Sequence, residues 1–367
     1  MTIETYITGY LKEFSKSEKS HTRWKYEDGC ILSACEQLYQ ATQNTFYKDI
    51  MKHYMNYYIT EEGNILTFEK ETYNLDNIQS GKALFFLYEE TKEEKYKKAI
   101  DDLMDQLKSH PRTDSKSFWH KQIYPDQIWL DGLYMAQPFY TLYESKFNKK
   151  ENYEDIINQY KNARKFLFDE DKKLYYHAYD EAKIQKWANK TTGWSPNFWI
   201  RAMGWYFMSI IDTWEAMSDE NKDYKDFLKE LLKEAVDGIL PYKDPKTNMF
   251  YQLVDKPEIS ANYTETSGSS MIACSILKAC RLKVLPQAYI EKGLEILNGI
   301  ITHKLLPLSD GLVLTGICEV AGLGPGDKRD GTIAYYLSEN IVSNELKGVA
   351  AFSMAYAQSL MIKDETI

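Results

Sequence analysis

The chain has 367 residues, 45 Lys and Arg against 54 Asp and Glu, and a net charge of −9; with no basic patch interleaved with aromatics, nucleic acid is excluded as an expected partner. No stretch reaches the roughly 18 apolar residues that would span a bilayer, and residues 1–20 lack a basic region followed by an apolar run, so no membrane association and a cytoplasmic location are expected. Five cysteines (Cys30, Cys35, Cys274, Cys280, Cys318) form an odd set without CxxC spacing and the six His are scattered without HExxH, which points to free buried thiols and to no metal or other cofactor.

Helical periodicity dominates the chain. It predicts twelve helices, at 2–15, 28–42, 46–60, 74–90, 93–108, 126–145, 152–168, 199–217, 221–240, 267–283, 286–302 and 346–362. In 28–42, Ile31, Leu32, Cys35 and Leu38 form one stripe, Glu36, Gln37 and Gln40 face away, and Asp28 stands as an N-cap. In 221–240, Tyr224, Phe227, Leu228, Leu231, Leu232 and Val236 recur at three- and four-residue steps between Lys and Glu. Helices such as 93–108 and 221–240 are charged on one face, whereas 126–145 and 199–217 are apolar nearly all round, as an outer and an inner layer would be. Six hairpins with that alternation fit an all-α (α/α)6 toroid, and fit an irregular α-solenoid equally well. Long connections at 61–73, 109–125, 169–198, 241–266 and 303–345 hold Trp, His, Pro and Gly, which reads as ordered, functional loops gathered on one rim. Short β-hairpins are expected at 174–180 and 249–254. No linker divides the chain, so 1–367 reads as a single domain, and a monomer is expected.

The aromatic share, 14%, suits either a Tyr-rich core or a surface that binds sugar faces. Within Asp126-Gln127-Ile128-Trp129-Leu130-Asp131-Gly132-Leu133-Tyr134-Met135, Asp131 lies between Leu130 and Gly132 at an apolar helix start. Burial there would raise its pKa and make it a general acid; the plainer role is a helix cap or an arginine partner. Asp76, in Tyr73-Asn74-Leu75-Asp76-Asn77, reads alone as another N-cap, yet two carboxylates at equivalent helix starts of neighbouring hairpins can face one pocket, as glycosidases require. His120-Lys121 precedes the Asp131 helix and His177 lies in the 174–180 stretch. Arg201, within Trp199-Ile200-Arg201-Ala202-Met203-Gly204-Trp205, is costly to bury without an anion, from the protein or from a substrate. Trp199 and Trp205 suit sugar stacking or core packing. Glu265-Thr266-Ser267-Gly268-Ser269 opens a helix without a triad, and the glycines of 322–326 lack the GK[ST] ending of a phosphate loop.

These residues, in this order, resemble glycoside hydrolase family 105, the unsaturated rhamnogalacturonyl hydrolases. The resemblance runs through most of the chain: residues 24–29, Asn74-Leu75-Asp76, His120-Lys121, Trp129 to Met135, His177, the W-x-R-x-x-G-W run at 199–205, Glu265 to Ser269, and Asn344 with Lys347-Gly348-Val349. It implies an (α/α)6 barrel without a metal. It implies Asp131 as general acid/base, Asp76 as a second essential carboxylate, and Tyr26, His120, Lys121, His177, Trp199, Arg201 and Trp205 as substrate-pocket residues. Ala202-Met203 stand where many members carry Gly-Asn, a departure that bears on substrate preference.

The implied substrate is an unsaturated uronyl oligosaccharide made by a pectate or rhamnogalacturonan lyase. The implied reaction protonates C4 of the C4=C5 vinyl ether, adds water at C5, and lets the hemiketal open to release the partner sugar. Arg201 would read the uronate carboxylate, and Asp76 would orient the sugar and keep the pKa of Asp131 high. Two other readings fit the same residues: an unsaturated glucuronyl hydrolase acting on glycosaminoglycan or ulvan fragments, and a non-catalytic oligosaccharide-binding toroid.

Overall fold

The computed structural model describes residues 2–16, 22–309, 311–326 and 328–364. Its helices are α1 (Ile3–Lys16), α2 (Tyr26–Thr42), α3 (Thr45–Tyr58), α4 (Asp76–Gln79), α5 (Lys82–Thr91), α6 (Glu94–Ser109), α7 (Leu130–Lys146), α8 (Tyr153–Leu167), α9 (Ile200–Ala216), α10 (Lys222–Ile239), α11 (Thr266–Arg281), α12 (Tyr289–Lys304), α13 (Ile333–Ser338) and α14 (Leu346–Asp364). Helices α2, α4–α5, α7, α9, α11 and α14 pack in that order, and α14 returns to α2 to close an inner ring. The outer layer is α3, α6, α8, α10 and α12, completed by α1. The chain is an (α/α)6 barrel, and the open solenoid is set aside because the ring closes.

The side chains explain the two layers. Helices α9 and α11 are buried along almost their whole length. Outer α10 buries only Leu228, Leu231, Leu232, Ala235, Val236 and Ile239 with their near neighbours, and its solvent face carries the i,i+4 pair Lys233–Asp237. In α11, the Glu265 carboxylate accepts from the Ser267 and Gly268 N–H groups and satisfies the helix start.

Four local expectations are corrected. The helix expected at 74–90 is broken at Ser80-Gly81, because α2 and this segment touch: a Cβ on Gly29 would lie 2.0 Å from Gln79 Oε1, and the Ser80 hydroxyl donates to the Lys25 carbonyl. The segment 126–145 starts as a strand, β1 (Gln127–Trp129), before turning helical. Neither expected hairpin forms as such. Strand β2 (Phe168–Asp169) pairs with β3 (Leu174–Tyr175), and β4 (Ala178–Asp180) pairs with β1; at 249–254 only single bridges occur, Trp199 with Leu253 and Tyr251 with Thr264. The long 303–345 connection holds β5 (Leu305–Leu308), β6 (Gly311–Leu314), β7 (Ile317–Cys318), α13 and β8 (Ile341–Val342). Asp28 is no cap either: the helix begins two residues earlier, and Asp28 is fully buried in its first turn, accepting from the Tyr54 hydroxyl at 3.0 Å. No helix among the described residues is long and apolar enough to cross a membrane.

Candidate active site

Every inner helix begins at the same rim, so six first turns converge there. They bring Tyr26 and Glu27, Asp76, Asp131, Arg201, Ser267, and Lys347. The N-terminal ends of helices carry partial positive charge and unpaired N–H groups, which makes this rim favourable to anions.

The β1–β4 ladder places His177 over Asp131. Trp129 pairs with Ala178, and the next N–H, on Leu130, donates to the His177 carbonyl at 3.1 Å. His177 is wholly buried, and its Nε2 stands 3.3 Å from Asp131 Oδ2, facing it but outside hydrogen-bond alignment. Its Nδ1 is bonded to the Tyr336 hydroxyl at 2.7 Å. Burial alone would lift the Asp131 carboxyl, but His177, with a smaller contribution from His120, outweighs it and holds the pKa below its ordinary value. The expectation of a raised pKa is thereby corrected for the free protein: burial was legible, but the imidazole that opposes it comes from the bend before a distant strand.

A second short ladder builds the Asp76 corner. Asn74 bridges Lys121, Leu75 N–H donates to the His120 carbonyl, and His120 N–H donates to the Gln127 carbonyl. Lys121 Nζ consequently lies 2.5 Å from Asp76 Oδ2, with His120 Nε2 at 3.6 Å from Oδ1. Burial opposes the Lys121 charge, but Asp76 outweighs it and the ammonium is held above its ordinary value. Burial pulls His120 down to about 4, so it is uncharged at neutral pH. The charge of Asp76 is met by Lys121, and a role in keeping the pKa of Asp131 high is not what this geometry supports. His120 stacks on Trp129 at 4.6 Å, and Trp129 on Tyr124 at 4.9 Å.

Tyr26, Asp76 and Lys121 line a cavity of about 400 Å³, together with Trp24, Lys25 and Asn74. Trp199 and Trp205 are each only 1% exposed. Trp199 packs on His177 and donates to Gln252 Oε1, while Trp205 stacks on Tyr134 at 4.8 Å and meets the Tyr26 ring edge. They wall the site rather than offer open faces. Arg201 is 2% exposed, donating to Ser267 Oγ at 3.3 Å, to the Cys318 carbonyl and to the Glu319 carbonyl at 3.4 Å. No described carboxylate lies within ion-pair range of it. Among the described residues no group of three His, Cys, Asp or Glu is disposed to hold a metal ion.

The rim therefore gathers Asp131 with His177, and Asp76 with His120 and Lys121, while Arg201 sits behind the wall. Residues not singled out from the sequence are Tyr336 and Tyr124, while Trp24 and Lys25 entered only as part of the 24–29 segment. Tyr336 lies on a short helix inside an irregular stretch, where no periodicity marks it.

The family model of Glycosyl Hydrolase Family 88 matches residues 3–363. A solved glycoside hydrolase from family 105 of C. acetobutylicum ATCC 824 is 41% identical, covers 98% of this chain and 99% of its own, and superposes with a TM-score of 0.91. Protein Atu3128 of Agrobacterium fabrum is 36% identical over 235 residues, 62% of this chain and 99% of that protein. The unsaturated rhamnogalacturonyl hydrolase YesR of Bacillus subtilis is 22% identical over 277 residues, 74% of each chain. With a family match over nearly the whole length and a family 105 structure this similar, the chain belongs to the family 88 and family 105 group of glycoside hydrolases.

Proposed function

We propose that this glycoside hydrolase removes the non-reducing-end 4,5-unsaturated galacturonic acid from pectin- or rhamnogalacturonan-derived oligosaccharides, with Asp131 as proton donor. The observation that carries the reading is the pairing of Asp131 with a buried His177 at the rim where the inner helices begin. The name of the Bacillus subtilis relative supports rhamnose as the partner sugar.

The residues suit each step. In the free protein His177 holds Asp131 as a carboxylate. A bound uronate adds a second negative charge and excludes water, and both raise the pKa of Asp131 until it takes up a proton. Asp131 then gives that proton to C4, positive charge develops at C5 and the ring oxygen, and the regenerated carboxylate draws a proton from water as it adds to C5. The hemiketal opens and the partner sugar leaves. Asp76, fixed by Lys121, is placed to accept from sugar hydroxyls, and Tyr26 supplies an aromatic wall of the cavity.

The test follows the ultraviolet absorbance of the C4=C5 bond in an unsaturated galacturonyl-rhamnose disaccharide. Wild type is expected to abolish it, and Asp131→Asn to slow the loss about 10³-fold or more. Consumption of unsaturated glucuronyl disaccharides instead would move the assignment to that class. Binding of either sugar without loss of absorbance would leave a carbohydrate-binding toroid.

A further inference from the structure

We propose that Tyr336 is a positioning residue for the Asp131 reaction: its hydroxyl, bonded to His177 Nδ1, keeps His177 Nε2–H directed at Asp131 in both charge states of the imidazole. The inference rests on the proposed role of Asp131.

The geometry allows few alternatives. Tyr336 is wholly buried, and its hydroxyl is 2.7 Å from His177 Nδ1. His177 Nε2, the only other polar atom of the ring, stands 3.3 Å from Asp131 Oδ2. An imidazole lone pair aimed at a carboxylate oxygen at that distance is repulsive, so Nε2 carries the hydrogen whenever Asp131 is ionised. The neutral ring then has a lone pair on Nδ1, which needs a donor; the imidazolium has N–H there, which needs an acceptor. A backbone carbonyl would serve only the second, and an ammonium only the first. A phenol serves both, because its O–H rotates. Burial keeps this phenol protonated, far above its ordinary range. His177 can accordingly gain or lose a proton without turning away from Asp131.

The placement of Tyr336 is supported from outside the ring. Its helix α13 is capped by the Thr332 hydroxyl, which accepts from Tyr335 N–H, and is tied to the α9 side through Asn197 Nδ2, which donates to the Gly331 carbonyl. The other titratable groups facing the Asp131–His177 pair are His120, with Asp76 and Lys121 beyond it, on one side. Tyr335 and Cys318 lie beyond Tyr336 on the other.

The test is Tyr336→Phe, which keeps the ring and removes the hydroxyl. In ¹⁵N-histidine-labelled protein without substrate, His177 (assigned by its loss in His177→Gln) is expected to titrate lower by about one pH unit or more, since the imidazolium loses its Nδ1 acceptor. With that positive charge weakened, Asp131 takes up its proton more readily. The alkaline limb of kcat/KM should therefore move to higher pH, kcat should fall about 10-fold, and KM should stay within about twofold. If Phe disturbs folding, 3-fluorotyrosine at 336 is expected to lower the His177 titration by a smaller step, being a poorer acceptor. An unchanged His177 titration overturns the proposal. So does a shifted titration with an unmoved pH profile. If wild type fails to consume any unsaturated disaccharide, the functional reading falls while the titration still decides the part played by Tyr336.

Discussion

The His120 imidazole occupies the space beside Gly132: a Cβ at position 132 would come within 3.0 Å of His120 Nδ1 and 3.1 Å of Leu75 Cδ1. Because His120 is stacked on Trp129 and faces Asp76, it has little room to yield. Gly132→Ala is expected to lower kcat/KM about 10- to 100-fold, while unfolding free energy falls by roughly 1–3 kcal/mol. Chemical denaturation and the absorbance assay together check this. A fully active variant would mean that the position of His120 is immaterial.

Arg201 invites a second test. Its Nη1 is committed to Ser267 and Cys318, whereas Nη2 makes only a long contact with the Glu319 carbonyl, so Nη2 is the nitrogen that a substrate carboxylate would have to reach behind the wall. Arg201→Ala is expected to raise KM for an unsaturated uronide about 10-fold or more, and Arg201→Lys, lacking the planar fork, to recover little of it. An Arg201→Ala enzyme of undiminished catalytic efficiency would remove Arg201 from substrate recognition.

At the opposite end of the barrel Asp212 joins two lysines, 3.3 Å from Lys82 and 2.7 Å from Lys278. Burial alone would lift its pKa, but the two ammonium groups outweigh that and hold it below the ordinary value. A carboxyl depressed on folding adds stability above its unfolded pKa, near 3.9, and loses it as pH falls through the folded one. Asp212→Asn is expected to cost about 3–5 kcal/mol at pH 7. That deficit should shrink on acidification below about pH 4, which denaturant melts across pH would show.

Asp28 has the opposite sign. Burial, only partly offset by Lys25 and the Tyr54 hydroxyl, pushes its carboxyl up to about 7. A carboxyl raised on folding costs stability as pH climbs from its unfolded pKa through the folded one. Asp28→Asn is therefore expected to stabilise the protein at pH 8, on the order of 1–2 kcal/mol after allowing for the retained Tyr54 contact. By about pH 4 the advantage should vanish. Equal stability of the two proteins at pH 8 would show that Asp28 is solvated or better paired than its burial implies.

The barrel was legible because its signal is local. A 3.6-residue period survives in each helix regardless of neighbours, and the apolar-all-round character of 199–217 marks an inner helix without reference to any other. The motif around Asp131 was legible for the same reason, as an acid where apolar residues surround it. What escaped was everything set by pairing between distant segments. Residue 177 meets residue 131 only through the β1–β4 ladder, three residues long. That contact reversed the direction of the Asp131 pKa. Tyr336 was missed because its significance lies in one hydroxyl contact, and the commitment of Arg201 to backbone carbonyls involves acceptors that every residue carries.

The sixth hairpin has a temporal consequence. It is made from the first and last helices, α1 and α14, joined where Tyr6 meets Phe352 at 6.4 Å and donates to Asn344 Oδ1 at 2.6 Å. During translation the ribosome releases α2 and α11 long before the segment that must lie between them. The nascent chain is then an open arc with two bare apolar flanks and a half-built rim, so ring closure and the finished rim arrive together, once α14 has been made.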